Sequence, residues 1–335
     1  MIIKSIHLTN FRNHQNFFLN CNDDTTLILG KNGFGKTSVL EAIYICTRGK
    51  SFRATDQDII KRGTKFYRIE LTTDSGEQII ANFDGKNKTY HILDKKTRRL
   101  PKTKKYPIIL FEPRDLNLIT GSPSRHRDYF NRFFSEINDE YHMCISKYDK
   151  ALRQRNEALK SENVDNNSLF SWDVMLSKYG TKIYTIRKKY INEINNQIND
   201  TYKSIAKTND KISIDYKTEL NNTDESKYLN ILSNNHEKDI YLGHTTFGIH
   251  KDDFEFIFNN QPAEGSASRG ESRSIILALK FIEANMTIDK LGHKPIILLD
   301  DVFSELDEVR RKCLIENFKD HQVIITSVEN ISDIK

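Results

Sequence analysis

The chain has 335 residues, with 51 Lys and Arg against 46 Asp and Glu, a net charge of +5 and a pI near 8.8. This length allows two lobes with a sizeable core. The mean hydropathy of -0.61 and the lack of any run approaching 18 apolar residues exclude a membrane-spanning helix. The four cysteines have no C-x-x-C spacing, which excludes a zinc cage or a disulfide framework and favours a reducing, cytoplasmic setting.

The run from Gly30 to Thr37 fits the P-loop pattern G-x-x-x-x-G-K-[ST]. The apolar, β-branched run 25–29 before it predicts a buried strand, and apolar residues at helical spacing after it predict a helix. Strand, glycine loop and helix N-terminus together cradle a triphosphate. Lys36 is predicted to reach the β- and γ-phosphates of ATP, and the Thr37 hydroxyl to bind Mg²⁺. The predicted nucleotide-binding set is Gly30, Lys31, Asn32, Gly33, Phe34, Gly35, Lys36, Thr37 and Ser38.

A second part of the predicted site follows an apolar strand near the end of the chain. The run 295–299 delivers Asp300 and Asp301 to the carboxyl end of a buried strand, where α/β sheets bind ligands. We expect Asp300 to share Mg²⁺ with Thr37, and Asp301 to orient or deprotonate the attacking water. The alternative is a strand that simply ends in an acidic turn.

Two further candidate site segments lie outside the P-loop and the strand that ends at Asp300. Ser268 and Glu271 fit the capping box S-x-x-E, which predicts a helix N-terminus at Gly270. That N-terminus either binds a γ-phosphate or is merely well capped, and a serine used for capping cannot fully serve a phosphate. Arg12 lies in a loop about twenty residues before the P-loop, and either folds back toward the nucleotide or stays solvated.

The remaining segments divide into strand-rich and helical stretches. Residues 65–110 are strand-rich, and the stretch 86–105 contains nine Lys and Arg against one acid, Asp94. Such a stretch suits either the phosphate backbone of DNA or a sheet edge that lysines protect from aggregation. An a/d-like spacing predicts an antiparallel helical hairpin up to about residue 206, whose second helix has about 35 residues.

Together these patterns predict an α/β fold in which two separate parts of the chain form one lobe. The ATP-binding lobe is assigned to residues 1–114 and 240–335, with mixed β-sheets, and an inserted all-helical lobe to residues 115–239. Residues 206–240 are polar and Asn-rich and carry no motif with an assigned role.

The chain resembles the SMC-type ABC ATPases, and within them the RecF family of bacterial recombination proteins. The resemblance covers nearly the whole chain and is carried by seven runs: 10–13, 30–37, 121–127, 151–156, 248–253, 268–271 and 298–307. The most specific are Arg153-Gln154-Arg155-Asn156 and the Ser-Glu-Leu-Asp at 304–307 that follows the two aspartates. The signature reads Arg269-Gly270-Glu271 where the family usually carries Gln-Gly-Gln.

This resemblance implies an ABC-type ATPase head with slow hydrolysis, and a homodimer that closes on ATP. Ser268 and Gly270 of one subunit would cover the γ-phosphate held by the P-loop of the other. It also implies DNA binding at single-strand/double-strand junctions, cooperation with RecR and RecO, and help in loading RecA at gaps. Two alternatives stay open: an ATPase subunit that energises a membrane transporter, and a module that holds ATP without hydrolysing it.

Overall fold

The computed structural model describes residues 1–93, 95–161, 166–220 and 224–328. The chain folds into two compact units. The first unit is discontinuous and comprises Met1–Asp115 and Thr287–Lys335. The second comprises Leu116–Met286.

The secondary structure alternates between strand-rich and helical stretches. In chain order the strands are β1 (Ile3–Phe11), β2 (His14–Asn20), β3 (Thr25–Leu29), β4 (Tyr67–Thr73), β5 (Gln78–Phe83), β6 (Lys88–Ile92), β7 (Lys95–Thr97), β8 (Ile108–Phe111), β9 (Ile212–Lys217), β10 (Asp253–Phe258), β11 (Gln261–Pro262), β12 (Ile296–Asp300) and β13 (Val323–Ser327). The helices are α1 (Lys36–Arg48), α2 (Asp56–Ile59), α3 (Pro123–Ile137), α4 (Asp139–Ala158), α5 (Asn166–Ala206), α6 (Glu225–Asn234), α7 (His236–Leu242), α8 (Ala263–Ser266), α9 (Arg269–Leu291) and α10 (Glu308–Phe318).

The first unit contains an antiparallel sheet and a parallel sheet. The antiparallel sheet has the order β2-β1-β4-β5-β6-β7. In β1 and β4 buried residues largely alternate with partly buried ones, because one face of the sheet covers the core. The parallel sheet has the order β3-β13-β12-β8. Every residue of β12 and β13 is buried, as expected of parallel strands covered on both faces.

Helix α1 occupies the core of the first unit. Its residues from Ser38 to Thr47 are all buried, and it packs against strands of both sheets. The core cluster combines residues from the two sheets with the helix, among them Ile6, Leu40, Ile69 and Leu298. A helix buried all round is fixed in position by its packing, so its N-terminus at Lys36 is held rigidly at the sheet edge.

The second unit is built on the helical hairpin of α4 and α5, with a small sheet of order β11-β10-β9. Helix α5 has 41 residues and is about 60 Å long, somewhat longer than the predicted 35 residues. It begins at Asn166, and residues 162–165 before it lie outside the described residues. Phe130 of α3 packs on Phe254 of β10, with ring centroids 4.5 Å apart.

The compact units differ from the predicted lobes at the second boundary. The sequence patterns predict a return to the ATP-binding lobe at residue 240, whereas in the structure the chain stays in the second unit up to Met286. The reason is that β10 pairs with β9 over its whole length and packs on α3. The polar stretch 206–240 contributes to this unit with β9, α6 and α7. The assignment of functions to the two lobes stays a prediction.

Candidate active site

The carboxyl edge of the parallel sheet brings the two motifs together. Strand β3 leads into the P-loop, β12 ends at Asp300, and β13 lies between them. The Thr37 hydroxyl donates to Asp300 Oδ1 at 2.7 Å. The Thr326 hydroxyl at the end of β13 donates to the same oxygen at 2.9 Å. Asp300 is 8% exposed, so its carboxylate is held in place by two hydroxyl groups in a nearly buried position.

The P-loop has the backbone that anion binding requires. Gly33 and Gly35 take φ values of +82° and +93°, a region that favours glycine. Gly35 is the N-cap of α1 and makes no side-chain capping hydrogen bond, so no cap side chain occupies the first-turn N–H groups. Lys36 Nζ donates to the carbonyl oxygens of Gly30 at 2.5 Å and Lys31 at 3.3 Å. The lysine ammonium therefore lies against the loop where phosphate oxygens are expected.

A cavity of about 700 Å³ opens beside the P-loop, large enough for a nucleotide. Its lining combines three segments: the turn between β1 and β2, the P-loop with the start of α1, and the segment after α1, with Asp301 facing them. The lining residues are Arg12, Asn13, Asn32, Gly33, Gly35, Lys36, Thr37, Ser38, Arg53, Ala54, Asp58 and Asp301. Of the two predicted alternatives for Arg12, the structure thus has the arginine at the P-loop cavity.

Asp301 lines the P-loop cavity directly after the end of β12. It follows β12 with φ +51°, and its N–H donates to the Thr326 hydroxyl at 2.9 Å. Its Oδ1 is buried and has no hydrogen-bond partner among the described residues. Burial raises the pKa of Asp301, Lys36 counteracts that rise, and the charges of Asp300 and Glu305 add to it. A carboxylate left without a donor is available to accept a proton or a hydrogen bond from water.

The oxygen atoms of this edge fit a magnesium ion. The Thr37 hydroxyl and the Asp300 carboxylate lie within hydrogen-bond distance of each other, and both are hard oxygen donors. In the described part of the chain no three His, Cys, Asp or Glu side chains cluster as a metal cage. Mg²⁺ is commonly bound by one or two carboxylates together with substrate phosphates, which agrees with this donor set.

A buried carboxylate behind the cavity was not predicted from sequence. The side chain of Glu41 in α1 is 0% exposed and accepts from Arg12 Nε at 2.9 Å, Arg53 Nη2 at 2.9 Å and Ser51 Oγ at 2.6 Å. Burial alone would raise the pKa of Glu41, but these hydrogen bonds outweigh burial and bring it below its usual value. The signal in the sequence was an acid among the apolar residues of a predicted buried helix, which requires a cationic partner.

Two of the predicted site residues do not belong to the compact unit that contains the P-loop. Ser268 and Gly270 belong to the second unit, where the capping box is confirmed: Ser268 N–H donates to Glu271 Oε2 at 2.6 Å, and Glu271 N–H to Ser268 Oγ at 3.3 Å. Their role toward a phosphate stays a prediction.

The basic stretch 86–105 contains both paired and exposed cations. Lys88 forms an ion pair with Asp56 at 2.7 Å. The residues Lys95, Lys96, Arg98 and Arg99 are exposed on and after β7, at the edge of the antiparallel sheet. Asp94 lies outside the described residues.

Fold and site together define an ABC-type ATPase head of the P-loop class. Residues 1–171 match the AAA ATPase domain family. The DNA replication and repair protein RecF of Clostridioides difficile (strain 630) is 34% identical over 98% of this chain and 92% of its own length. The RecF protein of Clostridium perfringens (strain SM101 / Type A) is 32% identical over 97% of this chain and 92% of its own length. The chain belongs to the RecF family of DNA replication and repair proteins.

Solved structures agree with this assignment. Two structures of the recombination mediator protein RecF in the RecFOR pathway, one with ATP and one with ATPrS, each superpose with a TM-score of 0.88 at 28% identity. The match to the ATP structure covers 100% of this chain and 93% of the solved chain. The match to the ATPrS structure covers 99% of this chain and 94% of the solved chain. Within the described residues, no helix combines the length and the apolar character needed to cross a membrane.

Proposed function

We propose that this protein is an ATP-dependent DNA-binding ATPase of recombinational repair and replication restart. Two copies close on ATP at a single-strand/double-strand junction, and slow, DNA-stimulated hydrolysis releases them. In the cytoplasm the dimer works with RecR and RecO to help RecA load at gaps. Membership of the RecF family supports the repair role, and no feature of the fold or the site favours the transporter-ATPase alternative within the described part of the chain.

The observation that carries the ATPase proposal is the hydrogen bond between Thr37 and Asp300. A P-loop hydroxyl and a strand-end carboxylate at 2.7 Å are the pair that a P-loop ATPase uses to hold Mg²⁺ beside the β- and γ-phosphates. When bound, Mg²⁺ would neutralise charge that develops on the phosphates. In this proposal Lys36 binds the β- and γ-phosphates, and backbone N–H groups of the glycine loop bind the remaining phosphate oxygens.

The water-activating group of the proposal is Asp301. Its raised pKa and its free Oδ1 suit a group that orients a water molecule and accepts its proton. Ser268 and Gly270 of a second copy would cover the γ-phosphate through the N-terminus of α9. Since the Ser268 hydroxyl already accepts from Glu271 N–H at 3.3 Å, a long hydrogen bond, ATP would have to compete with the capping box for it.

The DNA-binding part of the proposal rests on charge. Four exposed cations, Lys95, Lys96, Arg98 and Arg99, lie close together in sequence at one sheet edge. Each phosphate neutralised by such a residue releases counterions, and this release drives binding irrespective of base sequence.

Sedimentation of the purified protein with ATP, ADP or no nucleotide, with and without a gapped duplex, tests the proposal. We expect a dimer with ATP only, and joint sedimentation of that dimer with the gapped duplex. A Lys36→Met variant should stay monomeric and should not hydrolyse ATP. A wild-type protein that stays monomeric with ATP and the duplex, or a Lys36→Met protein that hydrolyses ATP normally, would refute it. Single-turnover hydrolysis with and without DNA separates an ATPase from a module that only holds ATP.

A further inference from the structure

Two side chains at the turn between β1 and β2, those of Asn13 and His14, contact the backbone of the P-loop. Asn13 Nδ2 donates to the carbonyl oxygen of Gly33 at 3.0 Å. His14 Nε2 lies 3.1 Å from the carbonyl oxygen of Gly35, and since a carbonyl only accepts, the ring nitrogen is the donor. Two donors from one turn therefore hold two carbonyl groups of the glycine loop.

These carbonyl groups determine where the neighbouring N–H groups point. In a trans peptide the C=O of one residue and the N–H of the next are fixed in one plane and point in opposite directions. Holding the Gly35 carbonyl thus fixes the N–H of Lys36, the first residue of α1. Local hydrogen bonds hold part of this segment, because Ser38 N–H donates to the Gly35 carbonyl at 2.9 Å and Phe34 N–H donates to the Lys31 carbonyl at 3.2 Å. The two side chains add outside contacts to glycines whose φ values of +82° and +93° leave their peptides free to rotate.

The contact between His14 and Gly35 leaves no spare room. A Cβ atom on Gly35 would lie 2.5 Å from His14 Nε2 and 3.0 Å from Cε1. The imidazole ring also packs on Phe17, with ring centroids 4.7 Å apart. One side of the ring therefore packs on Phe17 of β2, and the other side contacts the P-loop backbone at Gly35 directly.

The turn itself is held by the end of α2 and the segment that follows it. Arg12 N–H donates to the carbonyl of Ile59 at 2.8 Å, and Lys61 N–H to that of Asn10 at 3.0 Å. Lys61 Nζ donates to the carbonyl of Asn13 at 2.9 Å. Asn10 and Arg12 both take φ +53°, a conformation that costs free energy outside glycine and persists only where surrounding contacts impose it.

We propose that Asn13 and His14 are positioning residues that keep the P-loop in its phosphate-binding conformation before nucleotide arrives. The inference rests on the proposed nucleotide-binding function of this loop and adds the residues that set its affinity. The occupant is the diphosphate group common to ATP and ADP, because the P-loop backbone binds the phosphates that both share. Preorganisation raises affinity by removing the cost of ordering the loop on binding.

Calorimetric titration of the full chain with ADP and with a non-hydrolysable ATP analogue tests this. His14→Phe keeps the ring packing but removes the donor, and Asn13→Leu does the same for the amide. Loss of one hydrogen bond should raise the Kd about 3- to 10-fold in each variant, equally for both nucleotides. His14→Gln restores an N–H donor and should bind within about twofold of wild type. His7→Phe is the control, since His7 lies on the same hairpin and contacts the exposed Asn16 instead.

The outcomes separate this inference from the function on which it rests. A wild-type chain that binds neither nucleotide would refute the nucleotide-binding function. Wild-type Kd values in His14→Phe and Asn13→Leu would overturn the positioning role alone. Equal weakening in His14→Phe and His14→Gln would also overturn it, because the defect would then follow the shape of the side chain and not its donor.

Discussion

The hydroxyl of Thr37 and the carboxylate of Asp300 are joined at 2.7 Å although 263 positions separate them in the chain. The parallel sheet explains this contact, because β3 and β12 run in the same direction and end at the same edge. Both residues belong to the first unit, so one compact body holds the phosphate loop and the acidic strand end.

Removing the Thr37 hydroxyl should abolish Mg²⁺-dependent binding of ATP. In Thr37→Val we expect ATP hydrolysis to fall at least about 100-fold, since the site loses the proposed metal ligand and a hydrogen bond to Asp300. The measurement is ATP affinity and single-turnover hydrolysis across a Mg²⁺ titration. Thr37→Ser retains the hydroxyl and serves as the control. A Thr37→Val protein with the Mg²⁺ dependence of wild type would contradict the assignment.

Asp301→Asn should retain ATP binding and lose hydrolysis by roughly 100- to 10,000-fold, the range for removal of a general base. Because burial raises the pKa of Asp301 and only the ionised form accepts a proton, single-turnover hydrolysis should fall as the pH drops through that raised pKa. Glu305→Gln removes one of the charges that raise this pKa and should move the profile to lower pH. Normal hydrolysis in Asp301→Asn would exclude Asp301 as the base.

Glu41→Ala should lower the free energy of unfolding by roughly 3 kcal/mol, because Arg12 and Arg53 then face each other without their shared buried anion. Urea denaturation measures this. The folded-state pKa of Glu41 is lowered, so its stabilising contribution is complete above the ordinary glutamate pKa of 4.5 and is lost as the pH falls through the folded pKa. In Glu41→Gln the free energy of unfolding should lack this pH-dependent contribution. Equal acid sensitivity in Glu41→Gln and wild type would contradict the role assigned to this ion pair.

Neutralising the basic edge should weaken DNA binding without regard to sequence. For the quadruple change of Lys95, Lys96, Arg98 and Arg99 to Gln, we expect the salt dependence of log K to decrease in slope by up to about 3.6, or about 0.9 for each phosphate that is no longer neutralised. Affinity for a gapped duplex at several salt concentrations measures this. The control is Lys182→Gln combined with Lys312→Gln, two lysines with exposed side chains elsewhere. Unchanged DNA affinity with new aggregation would instead assign the lysines to edge protection.

The strands and loops that build the site were predictable from sequence, for a physical reason. The P-loop, the strand before it and the strand before Asp300 are short local patterns: β-branched apolar runs, glycines and a helix start. Such patterns report the local backbone directly. Their meeting at one edge follows from the rule that parallel strands end together.

The buried ionic contacts could not be predicted, because their partners are distant in the chain. Arg155 lies on the buried side of α4 and donates to Asp173 at 2.6 Å and Asp239 at 2.7 Å. These partners are 18 and 84 positions away. Nothing in the local run Arg153-Gln154-Arg155-Asn156 shows which of its charges is buried. The contacts of Glu41 and His14 escaped prediction for the same reason.

The order of strands in the parallel sheet has a consequence for synthesis of the protein. Strand β3, which carries the P-loop, lies at the sheet edge, and its neighbour is β13, the last of the described strands to be made. During translation β3 therefore cannot pair with β13 until residues 323–327 have left the ribosome. By then the second unit, continuous from Leu116 to Met286, has been synthesised completely. A nascent chain stalled before β13 carries the whole glycine loop but lacks the sheet that holds it.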